Sequence, residues 1–478
     1  MKKERAEWMK PRRILPYVLL VLFFAFIAVQ YWNYAMVAKS TVPIMDFWHW
    51  TAIYGEDVWN GTISLSDYFF SDAGEHMQPF AMALQFGVLK ASRFDVVPLV
   101  TWGVALRIVI AGFLGVVFFR RYWQEEDNGR KIILVICTGA IMMSPLNYNQ
   151  WEMAMEPFSL GNACRVLMYY LSFLWIDQFV REFPNRKYRT NLLLGALLGV
   201  YCAFLTIFVG SAYFVGHLPA IGLVLLWVLW RHRAQWKEYL GPLAAWCIIS
   251  FIGACVYYGL FTAGGRGASS TESEHILLLL LEGVAMFWGS LFLPQTLCDT
   301  LGVAPFCILG TLVLVYAIYI TIRYLNTAQA EQNTMPVICV LYAIIIATMI
   351  CWGRIGRFGP DTMISSRYVI ESSIGLVGIL WMTYGVFIAS ARTRRVWCKS
   401  LAVTLVTIIL LSYSAKIETG IAPYRKIYND NLKELMWNID DYSDEELGVT
   451  QGSAEDVRFC VAFFRENNLS IFYQATEE

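Results

Sequence analysis

The sequence predicts an all-α fold, a polytopic transmembrane helical bundle of about 11 spans with juxtamembrane helices and a short extracytoplasmic C-terminal tail. Three observations predict it. Only 15% of the 478 residues are charged and 57% are hydrophobic, whereas a soluble domain carries about 25% charged residues and can cover its surface with them. The apolar residues come in blocks of roughly 20, the length a helix needs to cross the hydrocarbon core. The charges are also unevenly placed between alternate connecting segments, as the positive-inside rule expects.

Taken in order, the predicted spans are 14–36, 96–119, 132–147, 159–180, 191–210, 213–230, 240–262, 302–322, 335–353, 367–390 and 400–414. Lipid offers no hydrogen-bond partner to a backbone amide, so each is read as a helix. The first follows the basic MKKERAEWMKPRR and has no small-residue cleavage site after it, which reads as an uncleaved span. With the N-terminus cytoplasmic, the segments 1–13, 120–131, 181–189, 231–238, 323–334 and 391–399 hold 22 of the 37 Lys+Arg, while 28 of the 37 Asp+Glu fall on the opposite side. The apolar stretch 276–294 breaks this alternation if it crosses, and it contains Glu282. It is therefore expected to be an interfacial or re-entrant helix on the outer side.

The expected domains are a transmembrane domain over 1–414, including a first outer loop over 37–95, and an extracytoplasmic tail over 415–478. The outer loop reads as two short helices. One covers MDFWHWTAIYGEDVWNG and ends at Gly61; the other covers EHMQPFAMALQFGVLKAS and lies along the membrane surface. The tail ends in DVRFCVAFFRENNLSIF, an amphipathic helix and then a strand-like piece. Most of the 11 cysteines lie inside apolar blocks, with no CxxC and no Cys/His ligand spacing, so they read as small apolar side chains.

Polar groups gather on the outer side. Asp46 follows the first span and is flanked by Trp48, His49 and Trp50; Glu75 and His76 open the surface helix. Glu152 and Glu156 are four apart and on a helix would share one face. Arg354, Arg357 and Arg367 fall in one predicted loop. Arginines hold phosphate in forked hydrogen bonds, and a carboxylate can accept a proton from an attacking hydroxyl or hold a divalent cation, Mg or Mn, on a phosphate. Each has a plainer reading: Asp46 as a helix cap, Glu152 and Glu156 as a solvated face, the arginines as contacts to lipid head groups. Arg107 and Arg165 stand inside spans, where an ionisable group needs a partner or a wet cavity. His217, at the outer start of a span, reads as structural.

The order of these features resembles a family. A span is followed by an acid in the outer loop and two juxtamembrane helices (GEHMQPFAMALQFGVLKASRFDVVPLVTWGVALRI). A span ending in FFRRYW comes next, then one ending in SPLNYNQWEMAMEP. Over about residues 14–180 this is similar to the C-type (GT-C) membrane glycosyltransferases that use polyprenyl-phosphate-linked donors, and SSRYVIESS resembles bacterial members of that group. The resemblance implies an enzyme of the bacterial cytoplasmic membrane, with its C-terminus extracytoplasmic. Asp46 takes the place of the first-loop catalytic acid, with Phe47 where a second acid is common. Glu152 or Glu156 takes the place of the second-loop acids that bind acceptor or metal. Glu75 and His76 resemble a Glu-His-Arg triplet in which Met77 stands for the arginine. Arg367 and Tyr368 resemble an Arg-Tyr pair near the donor phosphate, a set to which Arg354, Arg357 and Arg165 are added. The implied partners are a polyprenyl-phosphate-linked sugar donor, a glycan or lipid acceptor and membrane lipids, with no nucleic acid. The competing functions are a lipid-diphosphate-dependent glycan polymerase or ligase, and a transporter or flippase of lipid-linked substrate.

Overall fold

The computed structural model describes residues 11–64, 67, 79–123, 128–263, 276–389 and 394–474. Every regular element among them is helical. The α-helices of five residues or more among them are α1 (Pro11–Val37), α2 (Asp46–Asn60), α3 (Pro79–Ala91), α4 (Val97–Trp123), α5 (Asn128–Met143), α6 (Trp151–Met155), α7 (Ser159–Glu182), α8 (Tyr188–Phe204), α9 (Phe214–Arg231), α10 (Trp236–Ala263), α11 (Ile276–Gly289), α12 (Ala304–Leu325), α13 (Met335–Phe358), α14 (Val369–Tyr384), α15 (Arg394–Trp437) and α16 (Ala454–Glu466).

Nine helices among the described residues are long and apolar enough to cross a membrane, rather than eleven. The other two predicted spans are helical but fall short of that measure. α5 has 16 residues. α7 has 24 but carries Arg165, Asp177 and Arg181, and the polar groups are satisfied inside the bundle: Arg121 Nη2 meets Asp177 Oδ2 at 3.0 Å, and the Thr334 amide donates to Asp177 Oδ1 at 2.6 Å. Position in the bundle follows from side-chain size. α1 is peripheral, with Leu15, Leu19, Val21, Leu22 and Phe26 exposed. The segment around α14 is 94% buried, and its Ser372, Ser373, Gly375 and Gly378 let neighbours approach it closely.

α11 has 14 residues, about 21 Å at 1.5 Å per residue, too short for a core of about 30 Å. Its inner half packs backbone to backbone on α12. A Cβ at Gly310 would lie 1.7 Å from the Ala285 carbonyl oxygen, and one at Gly289 would lie 2.1 Å from that of Phe306. Backbone cannot yield as a side-chain tip does, so Gly310→Ala is expected to destabilise by roughly 1–3 kcal/mol, measured as a lowered unfolding midpoint in detergent. An unchanged midpoint would show that the two helices are not locked here.

Outside the bundle, a second apolar core joins the first outer loop to the end of the chain. Trp48 and Phe47 of α2, Phe86 of α3, Phe94, Met436 of α15 and Val461 and Phe464 of α16 are all buried in it. α2 stops where expected: Gly61 adopts a left-handed φ of 75° and its amide bonds back to Asp57, a conformation glycine takes without steric cost. Across the core, Cys460 Sγ donates to the Trp48 carbonyl at 3.2 Å, His49 Nδ1 lies 3.2 Å from Asp456 Oδ2, and the Ser470 amide donates to the Arg93 carbonyl at 2.7 Å.

The tail differs from expectation in two ways. The last span does not end near 414 but continues as one helix of 44 residues to Trp437. Its polar second half is held by packing on the outer core through Leu432, Leu435 and Met436, which an apolar-block reading does not register. The closing LSIF is also not strand-like: Ile471–Gln474 is a helical turn, with Leu469, Ile471 and Phe472 tucked into the same core.

Candidate functional site

Where the bundle meets the outer core lies a cavity of ≈ 560 Å³. One wall is the second half of α15, through Ile421, Tyr424, Arg425, Tyr428 and Asn429. Trp151, Met155 and Glu156 line it from α6 and just beyond; Ile44 and Met45 come from the entry to α2, Asp299 and Asp361 from the turns that follow α11 and α13.

Glu156 is placed by its neighbour in sequence. Pro157 follows it, and a residue before proline is pushed out of the helical region. α6 accordingly ends at Met155, and Glu156 is extended, with φ −98° and ψ 161°. Glu152 and Glu156 therefore do not share a helix face, contrary to the spacing argument. Glu152 is turned to the 366–368 turn, where it accepts from the Arg367 amide at 3.0 Å and pairs with the Arg367 guanidinium at 3.4 Å. Glu156 is 4% exposed and its Oε2 has no hydrogen-bond partner among the described residues. Burial first, and then the Glu152 carboxylate, push its pKa up to about 8, opposed by Arg425.

Arg425 is held from three sides. Its Nη1 lies 2.5 Å from Glu418 Oε2 and 3.2 Å from the Tyr34 hydroxyl, and its guanidinium covers the Trp151 ring at 4.3 Å. Nη2 is buried without a hydrogen-bond partner among the described residues. The cavity thus brings together a carboxyl poised near neutral pH, a fixed cation, and two exposed carboxylates, Asp299 and Asp361. Such a set can take a proton from a hydroxyl and hold an anionic group beside it.

The other predicted residues are distributed around this cavity. Asp46 is exposed in the first turn of α2; the N-cap is Met45, so Asp46 does not cap the helix. Glu75 and His76 lie outside the described residues. Arg354 and Arg357 are not in a loop: α13 continues to Phe358, and both guanidinium groups lie over its ring, at 5.5 and 5.0 Å. Tyr368 is buried at the entry to α14. Arg165 lies inside the bundle, paired with Glu371 and covering the Tyr213 ring at 4.0 Å. His217 is buried, stacked on Tyr169 at 4.4 Å and 2.8 Å from Ser172 Oγ, the structural environment expected of it. Among the described residues no three His, Cys, Asp or Glu side chains converge as a metal-binding group.

Sequence reasoning missed Arg425, Glu418, Asp299 and Asp361. Arg425 had one available signal: Glu418 stands seven residues before it, two turns up the same helix face. Comparison with known proteins finds no family model that matches this chain, and no matching curated protein or solved structure.

Proposed function

We propose that the chain is a membrane glycosyltransferase that moves a sugar from a polyprenyl-phosphate-linked donor to a cell-envelope glycan or lipid acceptor, working at this cavity on the extracytoplasmic side. The observation that carries the reading is the buried Glu156 carboxyl, its Oε2 without a hydrogen-bond partner among the described residues, beside Arg425 in a cavity where the bundle meets the outer core. In this scheme the acceptor hydroxyl attacks the anomeric carbon, the bond to the lipid phosphate breaks, and the hydroxyl proton passes to the Glu156 carboxylate. Arg425 Nη2 is the donor left open for the departing phosphate. Glu152 and Arg367 hold α6 against the 366–368 turn and so fix where Glu156 begins. Of the carboxylates the resemblance points to, Glu156 lines the cavity, Glu152 is turned to Arg367, and Asp46 follows Met45, which lines the cavity.

Purified protein in vesicles, offered undecaprenyl- and dolichyl-monophosphate sugars with an acceptor glycan or lipid, is expected to release polyprenyl monophosphate in step with sugar transfer. Turnover only with diphosphate-linked oligosaccharides would move the reading to a polymerase or ligase. Movement of the donor between leaflets with no bond broken would make the chain a flippase.

A further inference from the structure

Away from that cavity, Arg107 of α4 is 2% exposed and only partly satisfied. Its Nη1 donates to Gln150 Oε1 at 2.7 Å, and Gln150 Nε2 is committed to the Pro145 carbonyl at 2.5 Å. Nε and Nη2 of Arg107 are buried with no hydrogen-bond partner, and no carboxylate among the described residues pairs with it. Glu371, whose charge Arg107 feels, accepts its hydrogen bonds from Arg165 and the Tyr342 hydroxyl instead. A hydroxyl close by is in the same position: Ser373 Oγ is buried and unpartnered, while the Tyr31 hydroxyl already interacts with the guanidinium. Between α4, α7 and α14 is a cavity of ≈ 10 Å³, lined by Arg107, Gln150 and Ser373 against Val166, Tyr170 and Ile370. That is the scale of one guest of atomic size.

The donors decide what the guest is. An unpaired guanidinium inside a bundle is costly and calls for a compensating charge. A water would bring no charge to meet it. An anion asks for donors, which is what Arg107 Nε and Nη2 and Ser373 Oγ supply. We propose that Arg107, with the hydroxyl of Ser373, binds a single monatomic anion, chloride in ordinary solution, between α4, α7 and α14.

The test uses the full chain in detergent, with chloride exchanged for gluconate, too large for the cavity, at constant ionic strength. Chloride is expected to raise the thermal unfolding midpoint saturably over gluconate, and crystals soaked in bromide are expected to show an anomalous peak beside Arg107. Ser373→Ala removes one neutral donor and keeps the charge; it is expected to raise the half-saturating chloride concentration roughly tenfold. Arg107→Met, where it folds, is expected to lose the chloride response. Equal midpoints in the two salts, or a bromide soak with no peak at Arg107, would overturn the proposal and leave the cavity to water.

Discussion

Glu156→Gln is expected to lower sugar transfer by roughly 10²- to 10⁴-fold while leaving the protein folded, the range general-base groups contribute. The amide fills the same space but cannot accept a proton. The pH profile separates this from structural damage. With the carboxyl pushed up to about 8, the wild-type rate rises with pH toward that value, because only the ionised form is a base. Stability runs the other way. The folded chain keeps the Glu156 proton up to about pH 8, whereas the unfolded chain releases it near the ordinary 4.5. Between those values the folded state binds more protons, so Glu156 makes stability fall as pH rises, and its contribution is flat below and above that window. Glu156→Gln removes this slope, and above pH 8 the variant is expected to unfold at a higher temperature than the wild type. A variant that kept its transfer rate, or kept the slope, would remove Glu156 from its assigned role.

Glu371→Ala is expected to cost about 3–5 kcal/mol of stability, because it strands Arg165 as an uncompensated charge inside the bundle. Arg165 and Glu371 are 5% and 0% exposed, and the pair is held by Asn162, which accepts from Arg165 at 3.2 Å, and by Tyr342, 3.4 Å from Arg165. Removing the other partner, as in Arg165→Met, is expected to cost as much. The double replacement Arg165→Met with Glu371→Leu is expected to be less damaging than either single one, since a buried pair exchanged for apolar groups loses little. Unfolding in detergent of the four proteins gives the coupling directly. Strictly additive losses would mean that the two residues do not act as a pair.

That pair also marks how far the sequence could be read. An arginine within a span announces its need for a partner, so Arg165 could be singled out. Glu371 could not be matched to it, because 206 positions separate them and only packing of α7 against α14 brings them together. Helix positions were legible because apolar blocks and a stop such as Gly61 are local signals. The extent of α15 was not, since residues 415–437 are polar and their contacts lie far off in sequence: Asn429 donates to the Ala38 carbonyl and Arg465 of α16 to that of Trp437. Pro157 was visible in the sequence and would have warned that α6 stops before Glu156. The four-residue spacing alone suggested a shared face instead. The cavity itself is made from segments as far apart as Ile44 and Gln451, and no spacing rule links them.

A single helix, α15, begins in the apolar bundle and ends as a cavity wall, with Pro423 inside it. At about 1.5 Å per residue its 44 residues extend for roughly 66 Å, about twice the hydrocarbon thickness of a bilayer. Pro423 has no N–H to give the carbonyl four residues back, so the rod has a place to bend just before its cavity-lining arm. When a bilayer thins or thickens, a spanning helix answers by changing its tilt, and that bend is where the arm of α15 can part company with the embedded half. Tyr424, Arg425 and Tyr428 ride on that arm and face Glu156 across the cavity. The embedded half of α15 and the arm that lines the cavity thus meet at a proline, so one helix serves the lipid and the site with a joint between them.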